Sequence, residues 1–186
     1  IMVFAADSTS EMRRHYILFV DDHTIGESRM GYRRGWNKIY QETERGNARY
    51  SWEKKRPLAI WRGLNTDASR YKALSPRQRL VALGGIYPEK IDAKFTQTKY
   101  FNFIVRKILR PAMQQLGIPP FMTIPQQIGY QIVINADGMT ATYPGFLWRL
   151  LSSSVVIKQE STKEQWFYNL TQPWKHYIPC AHDFSN

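Results

Sequence analysis

Apolar residues along this chain fall in short unbroken runs, separated by polar segments marked with glycine and proline. Ile132-Val133-Ile134 shows no alternation and predicts a strand buried on both faces. A polar, flexible loop follows from Asn135 to Tyr143, and Pro144 stands where a helix would begin. Phe146 to Ser152 is rich in helix formers. Ser153-Ser154 punctuates, Val155-Val156-Ile157 predicts a second buried strand, and Lys158 to Ser161 closes it with polar residues. The order is strand, loop, helix, strand, a βαβ unit. In open α/β sheets ligands bind at the carboxyl ends of the strands, and a helix amino terminus there favours phosphate. No GxGxxG fingerprint accompanies this unit.

The same patterning predicts a strand over residues 16–21 and a long irregular connection over 26–50, with one helical turn near Trp36 to Tyr40. Leu58 to Trp61 reads as a short strand after the basic lead Lys54 to Pro57, broken at Arg62-Gly63. Ser75-Pro76-Arg77 is a helix start, with Ser as cap and Pro in the first turn, and Gly84-Gly85 is its expected end. Phe101 to Leu116 repeats apolar residues at helical spacing with a kink at Pro111. Lys163 to Leu170 predicts a short amphipathic helix, and Tyr177 to Pro179 a last strand. A division into two lobes fits best at 50–57. No internal repeat is present.

The chain has 186 residues, 43% hydrophobic, which is a folding composition, and no run approaches the roughly 18 apolar residues of a membrane span. No secretory apolar segment opens it, and it is expected to be a piece of a larger domain. The single cysteine, Cys180, excludes an internal disulfide and a cysteine-based zinc site, and favours a reducing compartment. Net charge is +11. Residues 1–110 hold 22 Lys/Arg against 11 Asp/Glu, so all of the excess lies there; residues 111–186 hold 4 against 4. That asymmetry suits an anionic partner such as a nucleotide sugar, nucleic acid or an anionic membrane surface, and equally a solubilising exterior.

Three blocks in series carry a resemblance. The first is Ala59-Ile60-Trp61-Arg62-Gly63. The second is Ile91-Asp92-Ala93-Lys94-Phe95-Thr96, after the Ser-Pro-Arg helix start. The third runs from Asp137-Gly138 through Leu151 to Ser161 and Trp166-Phe167-Tyr168, ending at Pro173-Trp174-Lys175-His176-Tyr177-Ile178-Pro179. Together they resemble glycosyltransferase family 90, the capsule-associated and lipopolysaccharide-modifying transferases that include the protein O-glucosyltransferases.

The resemblance implies an α/β, GT-B-like fold. A Rossmann-type carboxyl-terminal lobe over 54–186 would bind the nucleotide sugar, beside a truncated amino-terminal lobe over 1–53. It implies inverting transfer of a glucose- or xylose-type sugar from a UDP-sugar, without metal or other cofactor. The acceptor would be a hydroxyl on a glycan, lipopolysaccharide or protein, with no specific nucleic acid partner. Location would be cytoplasmic or membrane-peripheral in a bacterium and the secretory lumen in a eukaryote, with the cytoplasm preferred.

Site residues follow block by block. Arg62 is expected to grip a phosphate with its planar fork while Gly63 admits the backbone; pairing to a carboxylate is the structural alternative. Thr140, Thr142 and Tyr143 occupy the family's diphosphate loop, or shape its turn. Many relatives carry an arginine where this register puts Gly145, and Arg149, one turn later, could project back to the same place. Glu160 and Ser161 would take the ribose hydroxyls, or start the following helix. The base is expected at Asp22, with Asp21 and His23 as competitors; Asp-Asp-His also admits a metal reading. His15, His176 and His182 have structural roles by default, and Asn169-Leu170-Thr171 is a glycosylation sequon. Two other readings stay open: a basic nucleic-acid-binding module built on Arg33-Arg34, Lys54-Lys55-Arg56, Trp36 and Trp52, and a non-catalytic remnant of the transferase fold.

Overall fold

The computed structural model describes residues 36–66, 74–96, 121–138, 141–142, 144–165 and 167–186. The expected strand at 16–21 and helix at 101–116 lie outside them, as do Asp21, Asp22, His23, Thr140 and Tyr143. Five strands form one sheet: β1 (Arg56–Gly63), β2 (Ile91–Phe95), β3 (Tyr130–Asn135), β4 (Val155–Gln159) and β5 (Ile178–Cys180). Their order is β2-β1-β3-β4-β5 and every pairing is parallel. This is the doubly wound, Rossmann-like order whose direction of winding reverses between β1 and β3. Ligands of such sheets sit outside the carboxyl ends at that reversal.

Both faces are covered, which is why the strands read as unbroken apolar runs. On one face α1 (Trp36–Arg49), α3 (Ile124–Ile128) and α4 (Gly145–Leu151) enclose Ile60, Val133, Val156, Phe146 and Trp148. On the other, Leu80 of α2 (Pro76–Ile86) packs with Ala59, Trp61, Ala93, Ile134 and Phe184. β3, α4 and β4 form the predicted βαβ unit, with Asn135 paired to Lys158 in register at its carboxyl end.

Three expectations change. Residues 36–49 form a fourteen-residue helix instead of an irregular connection with one turn. Its packing face is small rather than apolar: Thr43 and Gly46 are buried below Ile39. A Cβ on Gly46 would lie 2.7 Å from Ile128 Cδ1, so glycine is what lets α1 and α3 touch. Through Ile39 and Ile128, α1 shares the core of the sheet.

The α2 helix runs through Gly84 and Gly85 to Ile86. Here glycine serves close packing, since a Cβ on Gly84 would stand 3.0 Å from the Ala93 backbone of β2. Its start is as expected: Ser75 Oγ accepts from Gln78 N while Ser75 N donates to the Gln78 side chain. The predicted helix at 163–170 shrinks to one 3-10 turn, Tyr168–Leu170. The short α3 was not foreseen, although Thr123, Pro125 and Gln126 form a second capping box.

Lys55 enters this core just before β1. It is 4% exposed, and its ammonium donates to Ser153 Oγ at 2.9 Å and Ser154 Oγ at 2.7 Å. Burial pulls its pKa down to about 8. Between about pH 8 and its ordinary value near 10.5, the folded protein sheds this proton while the unfolded chain keeps it. Stability is therefore expected to rise with pH across that window, by about 1–3 kcal/mol in urea titrations. Lys55→Met should flatten the rise; an unchanged slope in that variant would assign it to other groups.

Candidate functional site

The carboxyl ends of β1, β3 and β4 converge on a set of polar side chains that the sheet buries. Arg77, in the first turn of α2, spans the reversal between β1 and β3. Its guanidinium donates to Leu64 O at 2.8 Å and Thr66 Oγ1 at 3.0 Å on the β1 side. Toward β3 it donates to Ala136 O at 2.9 Å and Asp137 O at 3.0 Å, with its ring-facing side over Trp61. One fixed fork thus ties two strand exits together, which lysine's single point charge could not do.

The loop after β3 is held, not flexible, at its described positions. Asp137 N donates to Gln159 Oε1 at 2.9 Å, and Gln159 Nε2 donates to His182 O at 2.7 Å, joining three strand ends. Asp137 Oδ1 accepts from Thr142 N at 2.8 Å, and Thr142 Oγ1 donates to Ala136 O at 2.9 Å. Lys163 Nζ donates to Gly138 O. Gly138 has no room for a Cβ, which would strike Thr66 and the Arg77 guanidinium.

Above this loop lies Arg149, 5% exposed. Its Nη1 donates to Gly145 O at 2.9 Å, one turn back, its guanidinium stacks 4.4 Å from the Trp148 ring centre, and its Nε has no partner. Burial lowers its pKa to about 9, the neighbouring Arg77 charge adds to the drop, and Asp137 opposes it. The expected backward projection is therefore what the fold produces: Nη1 lies 2.8 Å from where a Gly145 Cβ would be. Among the described residues no carboxylate forms an ion pair with it. A buried cation without a counter-charge is costly, and such groups persist where an anion is to be bound.

Polar atoms without hydrogen-bond partners among the described residues occur at the end of β3, just after it and beyond β4: both side-chain ends of Asn135, Asp137 Oδ2 and Tyr168 OH. Most buried polar groups are satisfied, so such orphans are atoms that an occupant would satisfy. Lys158 completes the set, its ammonium 4.6 Å from the Tyr168 ring centre, 5.6 Å from Phe146 and 5.7 Å from Tyr177. Since α4 has only seven residues, the suitability for an anion rests on Arg149 and its neighbours, not on a long helix dipole.

The other expected residues stand as follows. Arg62 does not present an open fork. Its Nη2 pairs with Asp92 Oδ2 at 2.7 Å and its Nη1 donates to the backbone oxygens of Asp92 and Trp61. Asp92 also accepts from Tyr130 OH. This is the ion-paired alternative: Asp92 lies opposite Ile60 in the parallel register, on the face that Arg62 shares. Gly63 makes room for an indole, with Trp61 Cζ2 2.5 Å from its hypothetical Cβ. Thr142 shapes the turn. Glu160 is exposed, and Ser161 Oγ accepts from Lys163 N in a local turn that starts no helix. Asn135, Asp137, Lys158, Gln159 and Arg77 were not foreseen as site residues. The available signal was polar residues directly ending buried strands, and Asp137, Lys158 and Gln159 stood inside the third block.

Among the described residues no three His, Cys, Asp or Glu come together as metal ligands, and no helix is long and apolar enough to cross a membrane. An open hollow of about 330 Å³ lies at the opposite, amino end of β4, lined by Ser152, Ser154, Lys175 and His176 among others, away from these groups.

A doubly wound parallel sheet with buried cations at its strand exits defines a Rossmann-like α/β protein. The model of glycosyl transferase family 90 matches residues 12–185, and the chain belongs to that family. It is 30% identical to human protein O-glucosyltransferase 3 over 141 residues, 76% of this chain and 25% of that protein. To mouse protein O-glucosyltransferase 1 it is 26% identical over 151 residues, 81% of this chain and 35% of that protein. The chain thus spans a quarter to about a third of these relatives.

Proposed function

We propose that the protein is the nucleotide-sugar-binding lobe of a GT-B glycosyltransferase, moving a glucose- or xylose-type sugar from a UDP-sugar to a hydroxyl acceptor with inversion. The observation that carries this is Arg149, a buried cation with no ion-pair partner among the described residues, standing over Gly145 beyond the exit of β3. A departing diphosphate supplies the counter-charge that it lacks, and a fixed cation stabilises the leaving group without reorganising. The relatives named as protein O-glucosyltransferases favour a protein hydroxyl over glycan or lipopolysaccharide as acceptor. The base falls to Asp22, with Asp21 in reserve.

Arg149 serves here in place of a metal ion, so binding is expected to be indifferent to chelation. Calorimetry should find UDP binding tighter than GDP or ADP, with the same affinity in EDTA. Equal affinities for the three nucleotides would overturn the donor assignment, and a requirement for Mn²⁺ would overturn the metal-free mechanism.

A further inference from the structure

We propose that Asp137 is the internal counter-anion of this site, setting its affinity for a diphosphate by partly neutralising two buried cations, Arg149 and Lys158. The inference rests on the diphosphate reading above and adds to it a control on affinity and a second cation.

Asp137 is 3% exposed and follows β3 directly, linked toward Arg149 through Thr142 and Gly145 and flanked by the strand that carries Lys158. Toward Arg149, its Oδ1 accepts from Thr142 N, and a Cβ on Gly145 would strike both Thr142 and Arg149. On the other side Lys158 is the register partner of Asn135, two residues before Asp137, with Cα atoms about 4.8 Å apart across the sheet. The Lys158 ammonium has three donors and spends one, on Gln159 O at 3.3 Å. The rings of Tyr168, Phe146 and Tyr177 stand around it, and the Glu160 and Glu164 charges act on it besides Asp137. Neither cation is in ion-pair contact with Asp137 among the described residues, and Asp137 Oδ2 has no partner at all. The carboxylate therefore acts through its field. Burial lowers the pKa of both cations, and the Asp137 charge works against that fall in each.

Around the buried Asp137 carboxylate stand the two buried cations and the Arg77 guanidinium, whose charge also acts on Arg149, while Glu160 and Glu164 act on Lys158 from its other side. An arriving diphosphate gains from both cations and is opposed by Asp137. The backbone of Asp137 is held independently by Gln159 and Arg77, so its charge can be removed without releasing the loop.

The test is calorimetry of inorganic pyrophosphate with the intact protein, Asp137→Asn and Lys158→Met, each checked by thermal melting. Asparagine keeps the oxygen that accepts from Thr142 N, and methionine keeps the ring cage filled. Asp137→Asn is expected to bind pyrophosphate roughly tenfold tighter and Lys158→Met roughly tenfold weaker, the size of one partly screened charge. Lys158→Met should also show a shallower dependence on salt. A purely structural role for both residues would weaken binding in both variants, and that result, or no change in either, overturns the inference. Should Asp137→Asn fail to fold, an unchanged affinity in Lys158→Met is sufficient to overturn it. If the unaltered protein binds neither pyrophosphate nor UDP, the donor assignment itself fails and takes this inference with it. UDP binding with unresponsive variants removes the inference alone.

Discussion

Arg149→Met is expected to abolish most nucleotide binding while leaving the protein as stable as before, or more stable. The guanidinium spends one donor on Gly145 O, has no carboxylate ion-pair partner among the described residues, and is 5% exposed. In the empty protein its charge is therefore desolvated with little return. Replacing such a group with an apolar side chain of similar length is commonly neutral or stabilising. Binding should respond in the opposite direction. Losing one charge-assisted phosphate contact costs roughly 1.5–3 kcal/mol, or about tenfold to more than a hundredfold in affinity for UDP. Its pKa near 9 adds a signature. Above that value the folded protein releases the proton before the unfolded chain does, so stability rises with pH there, and the variant should lose this rise. Calorimetry and thermal melting decide the matter together. A variant that melts much lower and binds UDP normally would make Arg149 a structural residue.

The opposite pattern is expected for Arg62→Ala: stability falls and UDP affinity stays nearly unchanged. Arg62 and Asp92 are joined by a 2.7 Å ion pair with side chains 6% and 20% exposed. Removing the arginine leaves a mostly buried carboxylate with only Tyr130 OH and the outer Lys94 ammonium. Since Asp92 keeps some contact with water, the cost should be about 2–4 kcal/mol, toward the lower end for broken buried pairs. Burial pushes the Asp92 pKa up, but the Arg62 hydrogen bond and charge outweigh it and hold it below its ordinary 3.8. The pair's contribution is thus fully present above that value and is lost as pH falls below it. A double-mutant cycle with Asp92→Asn should show strong coupling, and acid denaturation of Arg62→Ala should lack this part of the transition. Intact stability with lost UDP binding would restore the phosphate-gripping role that the resemblance implies.

Much of the fold was legible because parallel strands covered on both faces must be apolar throughout. Ile132 to Ile134, Val155 to Ile157 and Leu58 to Trp61 could scarcely be anything else, and Ser75-Pro76 announced its helix by local chemistry alone. Such signals depend on neighbours in the chain. The helix at 36–49 was hidden because its buried face is Thr43 and Gly46, residues that look polar or flexible until Ile128 is seen against them. Likewise Gly84 looked like a stop, yet it is the point at which α2 approaches the Ala93 backbone.

The site divides in the same way. Arg149 could be placed near Gly145 from helical spacing alone, because a side chain pointing back one turn is a local property. Whether an arginine ends in an ion pair or stands without a carboxylate is not local. Arg62 finds Asp92, thirty residues away, only because β1 and β2 pair in parallel register, whereas Arg149 forms no ion pair with an acid among the described residues. The sequence by itself therefore determined β1, β3, β4 and β5, the βαβ unit and the family, but not the strand β2 at Ile91–Phe95. Which cation is ion-paired, which is buried without a paired carboxylate among the described residues, and that Asp137 is buried beside the exit of β3, only the tertiary structure decided, because electrostatic partnership depends on distance in space and on burial, and neither is written in the order of residues.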